Sequence, residues 1–266
     1  MLTNYHTHSI FCDGIDTPEE MVLAAIAKGF DALGFSGHGF TLKDSSYCMK
    51  DLVGYKQTVL DLKKKYADKI QIYHGVEEDM CHPAFRTDYE YIIGSSHYIC
   101  KDNAYYAVDS GLDYYKKCVA LFGGDAKAMA KSYYEAFVSY ILSRKPDIVG
   151  HFDLITKYDE MNDNVLLGDR EYLDIAAKYM ERALDSDCIF EVNTGAIARA
   201  CRTKPYPCEE LLHLMRKRNA KLILSSDCHD SRMLDCKFVE TEQLLRDIGF
   251  TSVYVLYNGV FQPRML

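Results

Sequence analysis

Short runs dense in aliphatic, β-branched and aromatic residues alternate along the chain with longer runs in which apolar positions recur at helical spacing. The short runs predict strands over Leu2–Tyr5, Ala32–Ser36, Ile70–Val76, Tyr91–Ser95, Asp147–Gly150, Cys188–Val192 and Leu222–Ser225, with Ser252–Tyr257 as a later eighth. Helices are predicted between them. Thr17-Pro18-Glu19-Glu20 supplies an N-cap, a proline at the first helical position and acids for the positive end of the helix dipole, and Gly29 closes that helix. Further helical runs cover Lys50–Tyr66, Lys127–Arg144, Arg170–Asp185, Glu209–Asn219 and Val239–Ile248. The strand runs are too apolar to face water on either side, which predicts a parallel α/β sheet covered by helices. No linker, low-complexity tract or exact repeat interrupts the alternation. Its 266 residues suit one α/β barrel, so a single domain over 1–266 is expected.

Composition narrows the partners. With 48% hydrophobic and 26% charged residues the chain is of ordinary globular type. Its 31 Lys and Arg against 39 Asp and Glu give a net charge of −8, which offers no footprint for nucleic acid or for an anionic membrane. No run approaches the length of a membrane-spanning helix, and MLTNYHTHS has neither the basic start nor the apolar run of a signal peptide, so a cytoplasmic protein is expected. The ten cysteines lack Cys-x-x-Cys spacing and read as reduced thiols. Nothing in the sequence specifies an oligomeric state.

The candidate chemistry lies in the histidines. His6-Thr7-His8 alone is a weak motif, because a His-x-His pair arises readily by chance among nine histidines. Position strengthens it. His6 and His8 follow the first predicted strand, His38 the second, Glu77 the third, His97 the fourth, His151 the fifth, and Asp227 with His229 the seventh. In a barrel of parallel strands those C-terminal ends converge on one face, and alternate residues there point to the same side. Imidazole and carboxylate without thiolate suit Zn, Mn or Fe rather than Mg or Ca. Six imidazoles with Asp13, Glu77 and Asp227 exceed the needs of one ion and fit two or three, leaving positions open for water and substrate.

The other candidates have blander readings. His74 lies inside a strand, His213 on a helix and His82 in a loop beside Pro83; all three read as structural, although His82 is in a position to reach the site. Cys12 and Cys228 adjoin candidate ligands at positions expected to face away from them, into the core. The tyrosines of Tyr105–Tyr115 read as packing or lid residues.

HTHSIFCDG at the start, FSGHG at 35–39, GVEEDM at 75–80, GSSHY at 94–98, GHFDL at 150–154, EVNTGAIARA at 191–200, PYP at 205–207 and SSDCHD at 225–230 resemble, in order, the polymerase and histidinol phosphatase (PHP) family of metal-dependent phosphoesterases, and in particular its monofunctional histidinol-phosphatase branch. The resemblance implies a distorted (β/α)7 TIM-like barrel with a trinuclear metal site at the C-terminal strand ends. It further implies that His6, His8, Glu77 and Asp227 hold one ion, that Glu77, His97 and His151 hold a second, and that His38 and His229 hold the third. Many relatives carry a histidine where this chain has Gly14; Asp13, beside it, matches an Asp-Gly form of the motif and is expected to serve the third ion. Of the adjacent acids, Glu77 fits the family's Gly-x-Glu spacing, so Glu78 is expected to point away.

The activity implied is hydrolysis of L-histidinol phosphate to L-histidinol and inorganic phosphate, a step of histidine biosynthesis, by a metal-activated hydroxide, with Glu77 and Asp227 at the catalytic centre. Clustered cations address both obstacles to that reaction, the approach of a nucleophile to a dianion and the departure of a poor leaving group. Arg199, after the sixth strand, is the expected catalytic and substrate-binding guanidinium, able to take two phosphoryl oxygens, and Lys157 is a second substrate-binding cation. Two rivals compete: a PHP-type enzyme acting on another small phosphate ester or on nucleotides, and an inactive metal-binding accessory barrel.

Overall fold

The computed structural model describes residues 1–41 and 43–266. Seven parallel strands, β1 (Thr3–Asn4), β2 (Ala32–Phe35), β3 (Gln71–Asp79), β4 (Tyr91–Ser95), β7 (Ile148–Val149), β8 (Ile189–Asn193) and β9 (Lys221–Ser225), pair in that order. The ring closes just beyond β1, where His8 N–H donates to the Cys228 carbonyl (2.8 Å) and Cys228 N–H to that of His6 (3.0 Å). Every residue of β2, β4, β7 and β8 is buried, as expected for parallel strands with helices outside. The architecture is therefore the distorted seven-stranded TIM-like barrel.

Helices α1 (Pro18–Ala27), α2 (Leu52–Lys65), α3 (Leu112–Ala120), α4 (Ala126–Arg144), α5 (Arg170–Leu184), α6 (Gly195–Ala198), α7 (Glu209–Lys217) and α8 (Phe238–Ile248) complete the fold. The α1 start is a full capping box: Thr17 and Glu20 satisfy each other's backbone N–H, with Pro18 at the first turn. Outside the barrel α4 and α5 share a buried aromatic layer of Tyr133, Tyr134, Phe137 and Tyr172 with Phe152 and Phe190. Inside it, Tyr5, Tyr73 and Tyr91 fill the lumen with Ile93, Ile148, Ile189 and Ile223. Tyr91 fits because β2 and β3 present glycines to it: a Cβ on Gly34 or Gly75 would lie 2.3 Å from its ring atoms or hydroxyl.

Three departures from the expected pattern have local causes. Strand Ser252–Tyr257, β10, is no eighth barrel strand; it pairs antiparallel with β11 (Val260–Met265) across Asn258-Gly259, both left-handed. Val255 and Leu256 of that hairpin cap the lumen. A second hairpin, β5 (Tyr98–Lys101) with β6 (Ala104–Ala107), turns at Asp102-Asn103, again both at positive φ. Finally, β3 runs on to Asp79 because β4 pairs with it from Gly75 to Asp79, so Glu77 lies within the strand rather than past it. Among the described residues no helix is long and apolar enough to cross a membrane.

Candidate metal centre

At the C-terminal end of the barrel the dispersed candidates come together. Glu77 is 1% exposed and sits at their centre. Its Oε2 lies 2.8 Å from His38 Nδ1, 3.2 Å from His6 Nε2 and 3.6 Å from His8 Nε2, and its Oε1 lies 3.0 Å from His151 Nε2 and 3.5 Å from His97 Nε2. Asp227 Oδ1 is 3.2 Å from His8 Nε2 and 3.6 Å from both His6 Nε2 and His229 Nδ1. Asp13 Oδ1 reaches His229 Nε2 at 3.2 Å, His38 Nε2 at 3.5 Å and His8 Nδ1 at 3.8 Å. Among the described residues four groups have ligand atoms close enough to share an ion: His6, Glu77 and His151; His6, His8 and Asp227; His38, Glu77 and His97; and His8, Asp13, His38 and His229. The last group joins His8 and Asp13 to the pair His38 and His229 expected for a third ion.

The fit to cations has a sign in the hydrogen bonding. His6 Nε2, His8 Nε2, Glu77 Oε2 and His151 Nδ1 are buried yet make no hydrogen bond among the described residues. Orphaned buried polar atoms cost roughly 1–3 kcal/mol each, and the first three face one another, a donor set that a shared cation would satisfy. Burial together with His229 and His38 pushes the His8 imidazole down to about 3, leaving it neutral and able to ligate. For Asp227 burial opposes ionisation, but Arg199 and His6 hold the carboxyl well below its ordinary range.

Carboxylates behind the cluster fix the rings, and sequence reasoning missed them. Glu191 Oε1 accepts from His6 Nδ1 at 2.6 Å, while its Oε2 accepts from His151 N–H (2.9 Å) and Asn193 Nδ2 (2.8 Å). Asp79 Oδ2 accepts from His97 N–H at 2.9 Å and lies 3.2 Å from His97 Nδ1. With a cation on the other ring nitrogen, a carboxylate placed in this way would orient the ring and raise its basicity. Glu191 stands in EVNTG and Asp79 in GVEEDM, so the blocks were visible although these roles were not. Glu78 turns to the opposite face, where Arg144 Nε (2.6 Å), Arg144 Nη2 (2.8 Å), Tyr140 Oη (2.5 Å) and Ala84 N–H (2.7 Å) hold it.

Arg199, at the C-cap of α6, donates to Asp227 Oδ2 at 2.6 Å and to the Asp227 carbonyl at 3.1 Å. Asp227 has φ +47°, an unfavourable backbone state for a non-glycine residue that this contact helps to hold. Lys157 contacts Asp109 Oδ2 at 3.2 Å and lines a cavity of about 310 Å³ together with Asp13, His38 and His97. His74 stacks on Tyr89 and lies tilted against Tyr55, His213 is exposed on α7, and His82 packs against Phe40; none joins the cluster. Cys228 turns to the Asp230 carbonyl, but Cys12 does not face away: its Sγ lies 3.5 Å from His8 Nδ1, because the turn after His8 folds Cys12 N–H back onto the Ser9 carbonyl.

Comparison with known proteins agrees with this geometry. The chain is 25% identical over 264 residues to a Schizosaccharomyces pombe protein named probable histidinol-phosphatase, covering 91% of this chain and 84% of that one. A Deinococcus radiodurans protein of the same name is 24% identical over 95% of each chain. Among solved structures, the histidinol phosphate phosphatase of Lactococcus lactis, complexed with zinc, L-histidinol and phosphate, superposes with a TM-score of 0.73 at 19% identity, covering 98% of both chains. The family model described as PHP domain matches residues 4–195, a span that runs from the second residue of β1 through β8 and carries seven of the nine clustered side chains, and the chain belongs to that family.

Proposed function

We propose that the protein, acting as one domain over 1–266, hydrolyses L-histidinol phosphate to L-histidinol and inorganic phosphate with two or three divalent ions, zinc, manganese or iron, at the strand-end cluster. The observation that carries the reading is the convergence on one barrel face of six imidazoles and three carboxylates with unsatisfied buried ligand atoms. The identity of the ester rests on the full-length similarity to histidinol-phosphatases, one of them holding zinc, L-histidinol and phosphate.

His6, His8, Asp13, His38, Glu77, His97, His151, Asp227 and His229 hold the cations. When bound, such ions supply Lewis acidity toward phosphoryl oxygens and acidify water to near neutrality. Glu77 and Asp227 are the catalytic carboxylates: Glu77 touches five of the imidazoles and Asp227 three. Arg199 binds and orients the phosphoryl group through its planar guanidinium. Its contact with Asp227 keeps it charged and aimed at the cluster, against the cost of burial. Lys157 provides the second positive charge at the same group. Replacing Arg199 by Ala is expected to keep metal content while lowering kcat/KM on the order of tenfold to a thousandfold. Near-wild-type kinetics would remove Arg199 from the phosphate. A panel of small phosphate esters tests the substrate: turnover of several others at least as efficient as that of L-histidinol phosphate would leave a general phosphoesterase in its place.

A further inference from the structure

The cavity at the cluster has two unlike sides. One carries metal-ligand candidates, Asp13, His38 and His97; the other is built from the 44–47 segment, the start of β5 and the chain that follows β6. The β5–β6 hairpin leaves the end of β4 and returns to it, where Val108 N–H donates to the His97 carbonyl at 2.9 Å. That return sets the next residue, Asp109, on the cavity wall beyond His97. The backbone of Asp109 is fixed as well: its carbonyl accepts from Tyr158 Oη at 2.5 Å and from Lys157 Nζ at 3.2 Å.

The Asp109 carboxylate is only partly used. Oδ2 lies 3.2 Å from Lys157 Nζ, while no hydrogen bond among the described residues reaches Oδ1, and the side chain remains 23% exposed to the cavity. Among the described residues Lys157 is the only Lys or Arg lining the cavity, against Asp44 and Asp109 on the side away from the ligand candidate Asp13. Once Lys157 turns to a phosphoryl group, the wall opposite the cluster is left with net negative charge beside the Tyr47 and Tyr98 hydroxyls, which are 2.9 Å apart. A neutral or anionic leaving group would meet uncompensated carboxylates there, whereas a cationic one supplies the missing charge.

We propose that Asp109 is a specificity-determining residue that binds the ammonium of the substrate's leaving group, selecting phosphate esters with an amine on the carbon next to the ester CH2. This deepens the reading above and rests on it, since L-histidinol phosphate is such an ester. A carboxylate has acceptor sites for both Lys157 and an ammonium, so Asp109 links the phosphate-binding cation to the leaving group.

The competing role, in which Asp109 merely holds Lys157 in place, makes a different prediction. With metal-loaded protein, the kcat/KM ratio of phosphoethanolamine to ethyl phosphate measures preference for the ammonium without reference to histidinol. In Asp109→Asn that ratio is expected to fall about tenfold to a hundredfold, mainly through KM, the scale of one charge-assisted hydrogen bond. The Ki of L-histidinol as a competitive inhibitor, and its Kd by calorimetry, should rise by the same factor, and Asp109→Glu, which keeps the charge, should recover part of the preference. An equal loss on both esters, leaving the ratio intact, overturns the proposal in favour of the positioning role. So does an unchanged Kd for L-histidinol. A wild-type protein that prefers phosphoethanolamine to ethyl phosphate, loses that preference in Asp109→Asn, and fails to turn over L-histidinol phosphate would support Asp109 while overturning the histidinol assignment.

Discussion

Glu191 gives the most demanding test of how the cluster is held. It is 1% exposed, contacts no open space and accepts three hydrogen bonds, from His6 Nδ1, His151 N–H and Asn193 Nδ2. Glu191→Gln preserves volume but replaces one acceptor oxygen with an NH2 group. If the amide NH2 faces the pair His151 N–H and Asn193, two buried contacts are lost at about 1–3 kcal/mol each; if it faces His6, Nδ1 accepts from it only with the ring proton on Nε2, which then cannot ligate. Loss of a carboxylate behind a ligating histidine is expected to weaken metal binding roughly tenfold to a hundredfold, about 1.4–2.7 kcal/mol. The assay is metal retention against a graded chelator, read alongside phosphatase activity as metal is added back. The variant should release metal at tenfold to a hundredfold lower chelator strength, and its activity should recover at high metal concentration. Wild-type metal retention would refute the role given to Glu191.

Other expectations separate neighbouring residues. Glu77→Gln should lose metal and turnover together without rescue by excess metal, because two of the four ligand groups contain Glu77; unchanged stoichiometry by elemental analysis would contradict this. Arg144→Met strands the buried Glu78 carboxylate and should lower stability by about 3–5 kcal/mol in denaturant unfolding while sparing metal content, the reverse of Glu77→Gln. In metal-free protein, burial opposes protonation of His97 but Glu77 and Asp79 raise it to about 9. The proton's stabilising contribution is then complete below about pH 6.5 and fades as pH rises through 9. Thermal midpoints of stripped protein should fall over that window, and those of metal-loaded protein, in which a cation takes the proton's place, should fall less; parallel profiles would count against the assignment.

Much of this arrangement is legible from pattern because strand-end position is a one-dimensional property. A histidine just after an apolar run, repeated at several points of the chain, needs only barrel closure to become a cluster, and His6, His38, His97, His151 and His229 all converge in this way. The hairpins are equally legible in local turn signals. Asn258-Gly259 is a strong local signal for an antiparallel turn, so Ser252–Tyr257 has a partner just beyond that two-residue turn and no need of the barrel. Asp102-Asn103 marks the β5–β6 turn in the same way, inside a stretch whose tyrosines drew attention to packing. Glu191, Asp79 and Asp109 are a different matter. Their roles depend on which ring or ammonium group lies across a three-dimensional gap, and no periodicity encodes that distance. Cys12 belongs with them, since the turn after His8 and not its place in the sequence decides where its sulfur lies.

The central claim is that the strand-end cluster is a metal-dependent phosphatase site for L-histidinol phosphate. The most direct test follows phosphate release from that ester by chelator-stripped protein as zinc, manganese or iron is returned in stoichiometric steps. The stripped protein should release essentially none, and activity should rise with metal until two or three equivalents are bound, with kcat/KM above that for ethyl phosphate and glycerol phosphates. Undiminished turnover by the stripped protein, or a metal-loaded protein that leaves L-histidinol phosphate intact, would contradict it.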